Sequence, residues 1–233
     1  MYQLTPQLLN LYQDCPRCFW VEIHENTKLP SGGAGFSLQS GMYLALKKYT
    51  DGYRAQKKLP LELSKQIDGV FLPDQELVKK WRDPKTALFF EDQALGFRFS
   101  GSFDECILRQ SAEQEFYIPL DFKVRGFNLE EENHDQHAQL KLDCYDLLLK
   151  KNGYLTSGTG YLVYYVPEKV KGAGIVEFNV QVIQFVSEAQ RAMNFIGEVV
   201  GVLNKEIPQG AKDCEYCAWG NVGARMMKQA LSK

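Results

Sequence analysis

The segment Pro119-Leu120-Asp121-Phe122-Lys123 has the clearest chemical content in the chain. In an extended strand, residues two apart point to the same face. Asp121 and Lys123 would then project together, with Leu120 and Phe122 turned into a core behind them. A second acid closes Gly101-Ser102-Phe103-Asp104, on what reads as the preceding strand. If the two strands pair as a hairpin, Asp104 sits beside Asp121. Two carboxylates at close range make a negative pocket for Mg2+ or Mn2+, hard cations that prefer oxygen ligands. A metal held there acidifies its bound water and neutralises phosphate charge. A lysine alongside can orient or deprotonate the attacking water and adds positive charge to the transition state. That chemistry is phosphodiester hydrolysis. An Asp-x-Lys alone is commonplace and more often marks two solvated side chains. Here an apolar strand carries it, a Gly-x-x-Asp strand precedes it and a helix with a polar stripe follows it.

The second constellation is Cys15-x-x-Cys18 with Cys214-x-x-Cys217, near opposite ends of the sequence. Met1-Tyr2-Gln3-Leu4-Thr5-Pro6 lacks the basic region and apolar core of a secretory leader, so a cytoplasmic protein is expected. A disulfide framework is not expected there, and clustered cysteines read as metal ligands. Two pairs can build one four-thiolate site for structural zinc or an iron–sulfur cluster. Such a site would tie the N-terminal helix to the C-terminal tail. Cys106 and Cys144 fall in a strand and on an apolar helix face, and read as buried structural residues.

Several elements must position these groups. Thr5-Pro6 opens a helix, with Leu8, Leu11 and Tyr12 on one face, and Pro16 should end it. Residues 29–36 read as a loop. Residues 40–57 form an amphipathic helix with Met42, Leu46 and Tyr49 on one stripe, and Pro73-Asp74 begins a shorter helix over 74–82. The period then changes to that of strands at 87–91, 95–109 (with a bend near Gly101) and 115–123, separated by polar turns at Asp92-Gln93 and 110–114. Helical spacing returns over 135–151, where Leu140, Cys144, Leu147 and Leu148 share a face and Gly153 follows as a stop. Residues 160–166 and 174–186 are strands. Ser187 with Gln190 has the form of a capping box, opening a helix to about Glu206, and a short helix ends the tail. The order implies an α/β fold with a mixed central sheet flanked by helices. One domain is expected over 1–233: a helical part to about 85, a sheet core over about 86–186, and a C-terminal helix and cysteine tail over 187–233.

Composition agrees with a globular chain: 233 residues, 45% hydrophobic and 24% charged. No apolar run reaches the roughly 20 residues of a membrane span. A net charge of −2 does not advertise nucleic-acid binding, but a local groove matters more than the sum. Lysine and arginine do concentrate at Lys47, Lys48, Arg54, Lys57, Lys58 and Lys65, and again at Lys79, Lys80 and Arg82; the plainer reading is a solvated helix face.

The Gly-x-x-Asp strand followed by Asp-x-Lys resembles the PD-(D/E)XK nucleases. It is most similar to the branch of RecB-type recombination nucleases and the CRISPR-associated exonucleases that carry an iron–sulfur cluster. The resemblance runs from Cys15 to Trp219. It implies a restriction-endonuclease-like core and a metal-dependent deoxyribonuclease, with DNA as partner and a role in repair or phage defence. Asp104 and Asp121 would hold Mg2+ or Mn2+, and Lys123 would complete the catalytic set. Arg125 and Gly126 follow the lysine as basic and glycine residues often do in that branch. The branch also has a helix with Gln-x-x-x-Tyr. Tyr145 matches its tyrosine, but Lys141 stands four residues earlier and Gln139 two positions too early. Arg125, Gln139, Lys141 and Tyr145 are therefore candidate substrate contacts. Cys15, Cys214 and Cys217 match the scheme of a [4Fe–4S] cluster, with Cys18 as the fourth ligand; structural zinc is the alternative. One departure stands out. The branch places a His or acid on a helix before the strands, whereas 40–57 offers none before Asp51, and Glu22, His24 and Glu25 lie upstream. That points toward a single-metal or weakened enzyme. A nucleic-acid-binding module of the same fold and a metal-stapled interaction protein are the competing readings.

Overall fold

The computed structural model describes residues 1–30, 38–125 and 136–231. Thr5 Oγ1 accepts from the Leu8 N–H at 3.3 Å, and Pro6 opens α1 (Pro6–Asp14). Pro16 ends α1 as expected, but it also starts α2 (Pro16–His24), since a proline suits a first helical turn. The helix read over 40–57 is α3 (Leu38–Ala55), and one turn after Pro60 forms α4 (Leu61–Ser64). Asp74 caps α5 (Gln75–Arg82), accepting from the Leu77 N–H at 2.9 Å. The loop read over 29–36 lies from residue 31 onward outside the described residues, as does Gly126.

The strands are β1 (Tyr2–Leu4), β2 (Val70–Phe71), β3 (Leu88–Asp92), β4 (Phe97–Gly101), β5 (Glu105–Ser111), β6 (Gln114–Val124), β7 (Thr159–Val170) and β8 (Val176–Val186). They form two sheets, ordered β1-β4-β3 and β2-β5-β6-β7-β8. In the larger sheet only β6 and β7 run parallel. They are joined through α6 (Gln136–Lys151), whose first expected residue, 135, lies outside the described ones. The single strand expected over 95–109 is thus two strands in different sheets, broken at 102–104. Gly101, just before the break, lets α6 pack close: a Cβ there would meet the Leu148 side chain of α6 at 2.8 Å.

Alternation along β6 assigns its two faces. Ile118, Leu120 and Phe122 enter a core with Leu46 of α3 and Leu63 of α4. Asp121 and Lys123 point the other way, toward α6. α6 is buried around most of its circumference between the sheets, with Leu140, Cys144, Leu147 and Leu148 in the main core as expected. α7 (Ala189–Leu203) packs on α6. The Ser187–Gln190 capping box does not form. Gln190 Nε2 donates to Asn194 instead, and the Ser187 hydroxyl has no partner. The first turn of α7 is capped from another helix: Asp143 Oδ1 accepts from the Glu188 N–H at 2.8 Å and Asp146 Oδ2 from the Ala189 N–H at 2.9 Å. These carboxylates also complement the positive end of the helix dipole. The last helix is not short: α8 spans Glu215–Leu231, 17 residues with none buried. No helix among the described residues is long and apolar enough to cross a membrane.

Candidate active site

Antiparallel pairing of Glu105 with Leu120 sets the chain so that Asp104, one residue before β5, comes opposite Asp121. Asp121 is 1% exposed. Its Oδ1 lies 2.5 Å from Lys141 Nζ of α6, and its Oδ2 lies 3.4 Å from Lys123 Nζ. Asp104, Asp121 and Lys123 are therefore brought together, and Lys141 joins them. Burial, then the hydrogen bond and charge of Asp121, push the Asp104 carboxyl well above its ordinary value. Burial opposes the charge on Asp121 too, but Lys141 above all, helped by Asp104 and Lys123, holds that carboxyl below its ordinary value. One carboxyl is thus biased toward keeping a proton and the other toward losing it. Asp121 Oδ2 is buried, with the ammonium of Lys123 at 3.4 Å and the Asp104 carboxyl as its polar neighbours. A buried carboxylate oxygen beside a second carboxylate is suited to a shared proton or a divalent cation.

Other side chains hold the 102–104 break in place. The Tyr145 hydroxyl donates to Ser102 O at 2.8 Å, and its ring stacks on Phe103 at 4.3 Å. Burial raises the Tyr145 pKa, so the phenol stays neutral. Arg82 Nε donates to Asp104 O at 3.0 Å, and the Phe103 N–H donates to Trp81 O at 2.9 Å. Tyr145 thus anchors the backbone that carries Asp104. Arg82 also bridges Asp51, at 2.9 and 3.1 Å, and Glu105, at 2.6 Å. Glu105 in turn pairs with Arg54, and both are 1% exposed. A cavity of about 500 Å³ opens over this floor, lined by Tyr43, Lys47, Arg82, Asp104, Lys123 and Lys141 among others.

The remaining sequence candidates fall elsewhere. Gln139 donates to Asp143 Oδ1 and to Val186 O, both at 3.0 Å, so it sits at the junction with α7 and away from the cavity. Its two-residue offset from Lys141 rotates it to the other side of α6. The Arg125 guanidinium lies 5.3 Å from the Tyr164 ring centroid and does not line the cavity. Among the described residues, His24, Asp51 and Glu22 are each placed away from the carboxylate pair. His24 Nε2 contacts Leu203 O at 3.0 Å and stacks on Trp20; Asp51 is held by Arg82. Glu22 lines a different pocket. Conversely, Arg54, Glu105 and Lys47 were not legible as site residues. The helical spacing of Tyr43, Lys47 and Arg54 is the one signal that places them along one side of α3.

The four outer cysteines converge, with all four Sγ atoms within 4.8 Å of one another. Cys15–Cys217 is 3.6 Å, Cys18–Cys214 3.5 Å and Cys18–Cys217 3.7 Å. Burial opposes ionisation of Cys15, yet the backbone N–H groups of Cys18 and Ala211 and the neighbouring thiols lower it to about 7. These are thiols suited to holding a metal. Cys106 and Cys144 are buried in the main core, apart from this cluster.

No protein-family model matches the sequence, and no curated protein matches it significantly.

Proposed function

We propose that the protein is a divalent-metal-dependent deoxyribonuclease that hydrolyses phosphodiester bonds, with a restriction-endonuclease-like core of the PD-(D/E)XK kind. The observation that carries this reading is the meeting of Asp104 and Lys123, which line an open, cation-walled cavity, with Asp121 buried directly behind them. Asp104 and Asp121 would hold Mg2+ or Mn2+, which when bound supplies an acidified water and a counter-charge for the phosphate. Lys123, on the same face as Asp121, orients the attacking water and adds positive charge near the reacting phosphorus. Tyr145 and Arg82 keep Asp104 in register through the backbone oxygens they bind. The test is cleavage of labelled single- and double-stranded DNA with Mg2+ or Mn2+, comparing wild type with Asp121→Ala and Lys123→Ala. Metal-dependent cutting lost in both variants is the expected result; undiminished cutting by folded Asp121→Ala would sink the assignment.

One observation favours a second reading, a catalytically weakened nucleic-acid-binding module. The Lys141 ammonium already lies against Asp121, where it competes with a metal for the same oxygen. A folded wild type that binds DNA and never cuts it would decide for this reading.

For the cysteine site, the spacing supports one tetrahedral ion, most simply zinc, over the cluster suggested by resemblance. Zn–S bonds of about 2.3 Å put tetrahedral sulfurs about 3.8 Å apart, close to the 3.5–3.7 Å found. A [4Fe–4S] cube places a different iron under each thiolate and spreads the sulfurs to about 6 Å, beyond the 4.8 Å limit here. Elemental analysis should find one zinc per chain; stoichiometric iron with acid-labile sulfide would overturn this.

A further inference from the structure

We infer that Lys47, on the α3 wall of the cavity, is a binding residue that seats a backbone phosphate of a single-stranded nucleic acid beside the carboxylate pair; this rests on the nuclease reading. The other cations around the cavity floor have carboxylate partners. Arg82 pairs with Asp51 and Glu105, and Arg54 with Glu105. Lys141 and Lys123 both pair with Asp121. Lys47 is different: among the described residues it makes no ion pair, and its one close contact is the Tyr43 ring, 4.5 Å away.

Lys47 is also half-buried. Burial first, and the charge of Arg82 second, lower its pKa. A partly desolvated ammonium among other cations is unfavourable to the fold. Its position over the cavity accounts for it: an anion entering there meets a cation whose charge Glu105 and Asp51 offset from a distance but no carboxylate pairs with directly. The sequence supplies no acid on α3 before Asp51, which Arg82 engages, and Lys47 stands one helical turn from Tyr43. A cavity of about 500 Å³ takes a nucleotide-sized group and is too small for a duplex. An aromatic ring beside a lysine is the equipment that single strands use.

The experiment is fluorescence anisotropy of a 3′-labelled oligothymidylate binding to the full chain, with its cysteine-bound metal kept and no Mg2+ or Mn2+ added. It is repeated over a series of salt concentrations for wild type, Lys47→Met and Lys47→Arg. One lost phosphate contact on a single strand reduces the slope of log K against log salt by about 0.7 in magnitude. Lys47→Met should show that reduction with about tenfold weaker binding near 0.1 M salt. Lys47→Arg should keep both slope and affinity. The melting temperature of Lys47→Met should stay level or rise, since no ion pair is lost. If wild type binds and Lys47→Met has an unchanged slope, or if Lys47→Arg falls as far as Lys47→Met, the inference is wrong while the nuclease reading stands. If wild type neither binds nor cuts the strand, both fall together.

Discussion

Replacing Glu105 by Gln removes one charge from the buried end of an ion-pair network while keeping side-chain shape. In the native chain Glu105 is shared by Arg54 and Arg82. Burial pushes the Glu105 carboxyl up although these two guanidinium groups pull it down, so enclosing that charge is costly and its arginine partners offset part of the cost. What the substitution adds is the stranding of Arg54. That side chain has no exposure, and it keeps only Leu72 O at 2.5 Å and a long 3.4 Å contact to Asp51. Breaking a buried pair by removing one partner costs about 3–5 kcal/mol. The lower end applies, because Gln still accepts one hydrogen bond and Arg82 keeps Asp51. For a chain of this size each kcal/mol shifts the melting temperature by about 2–4 °C, so Glu105→Gln should melt about 6–12 °C lower. Calorimetry or far-UV circular dichroism on the metal-replete protein measures this. The double variant Arg54→Met with Glu105→Leu removes the stranded charge as well and should recover much of the loss, giving non-additivity of at least about 1 kcal/mol. A Glu105→Gln melt within about 2 °C of wild type, or a strictly additive cycle, would refute the reasoning.

Three further outcomes can be checked on the same protein. Lys141→Met takes the competing ammonium off Asp121 and should tighten Mn2+ binding about tenfold by titration calorimetry, about 1.4 kcal/mol; weaker binding would mean that Lys141 assists the metal. In the metal-free protein the Cys15 thiol sits at about 7 against an ordinary 9.0. Its contribution to stability is therefore complete above pH 9.0 and is lost as pH falls through about 7. Cys217, pushed up to about 11, and Cys18, pushed up further by burial and the neighbouring thiols, oppose this only above pH 9.0, so chelated wild type should gain more melting temperature between pH 7 and 9.0 than chelated Cys15→Ser. Asp143→Asn weakens the cap and the paired contacts from Arg191, at 2.6 and 2.7 Å. It should cost about 1–3 kcal/mol, with hydrogen exchange accelerated first over residues 188–191; uniform acceleration through α6 would argue for a core defect instead.

The local parts of the site were legible and the tertiary parts were not. The period of two along a strand is enough to put Asp121 and Lys123 on one face. The placement of Asp104 needed one assumption, that neighbouring strands pair, and the Glu105–Leu120 register meets it. The cysteine pairs announced themselves because Cys-x-x-Cys has few other uses in such a chain. Arg54 shows the opposite case. In sequence it is one more positive charge on a helix, and only contact with Glu105, fifty-one residues away, makes it a core residue. Gln139 and Lys141 are both polar positions on α6, and choosing between them requires knowing which side faces β6. β1 is three residues long, too short for any period, and exists through its pairing with β4. Ser187 and Gln190 had the right spacing for a capping box, but acids reaching from α6 capped α7 first.

The cysteine cluster joins positions about two hundred residues apart along the chain, with Cys18 and Cys214 separated by 196. The N-terminal seam has further stitches to the same region: Tyr2 to Leu203 O, Trp20 to Lys205 O and the Ala211 N–H to Cys15 Sγ. A cross-link closing so long a loop restricts the unfolded chain by about 5 kcal/mol in the chain-entropy view. On a ribosome the same geometry sets an order of events. The sheets, α6 and the carboxylate pair have all their packing partners once α7 has emerged, but α1 and α2 must wait for residue 217 before their thiols find partners. A metal at these thiols can be enclosed in full only after residue 217 has emerged, and a chain stalled or clipped ahead of Cys214 would carry the candidate active site with its seam still open.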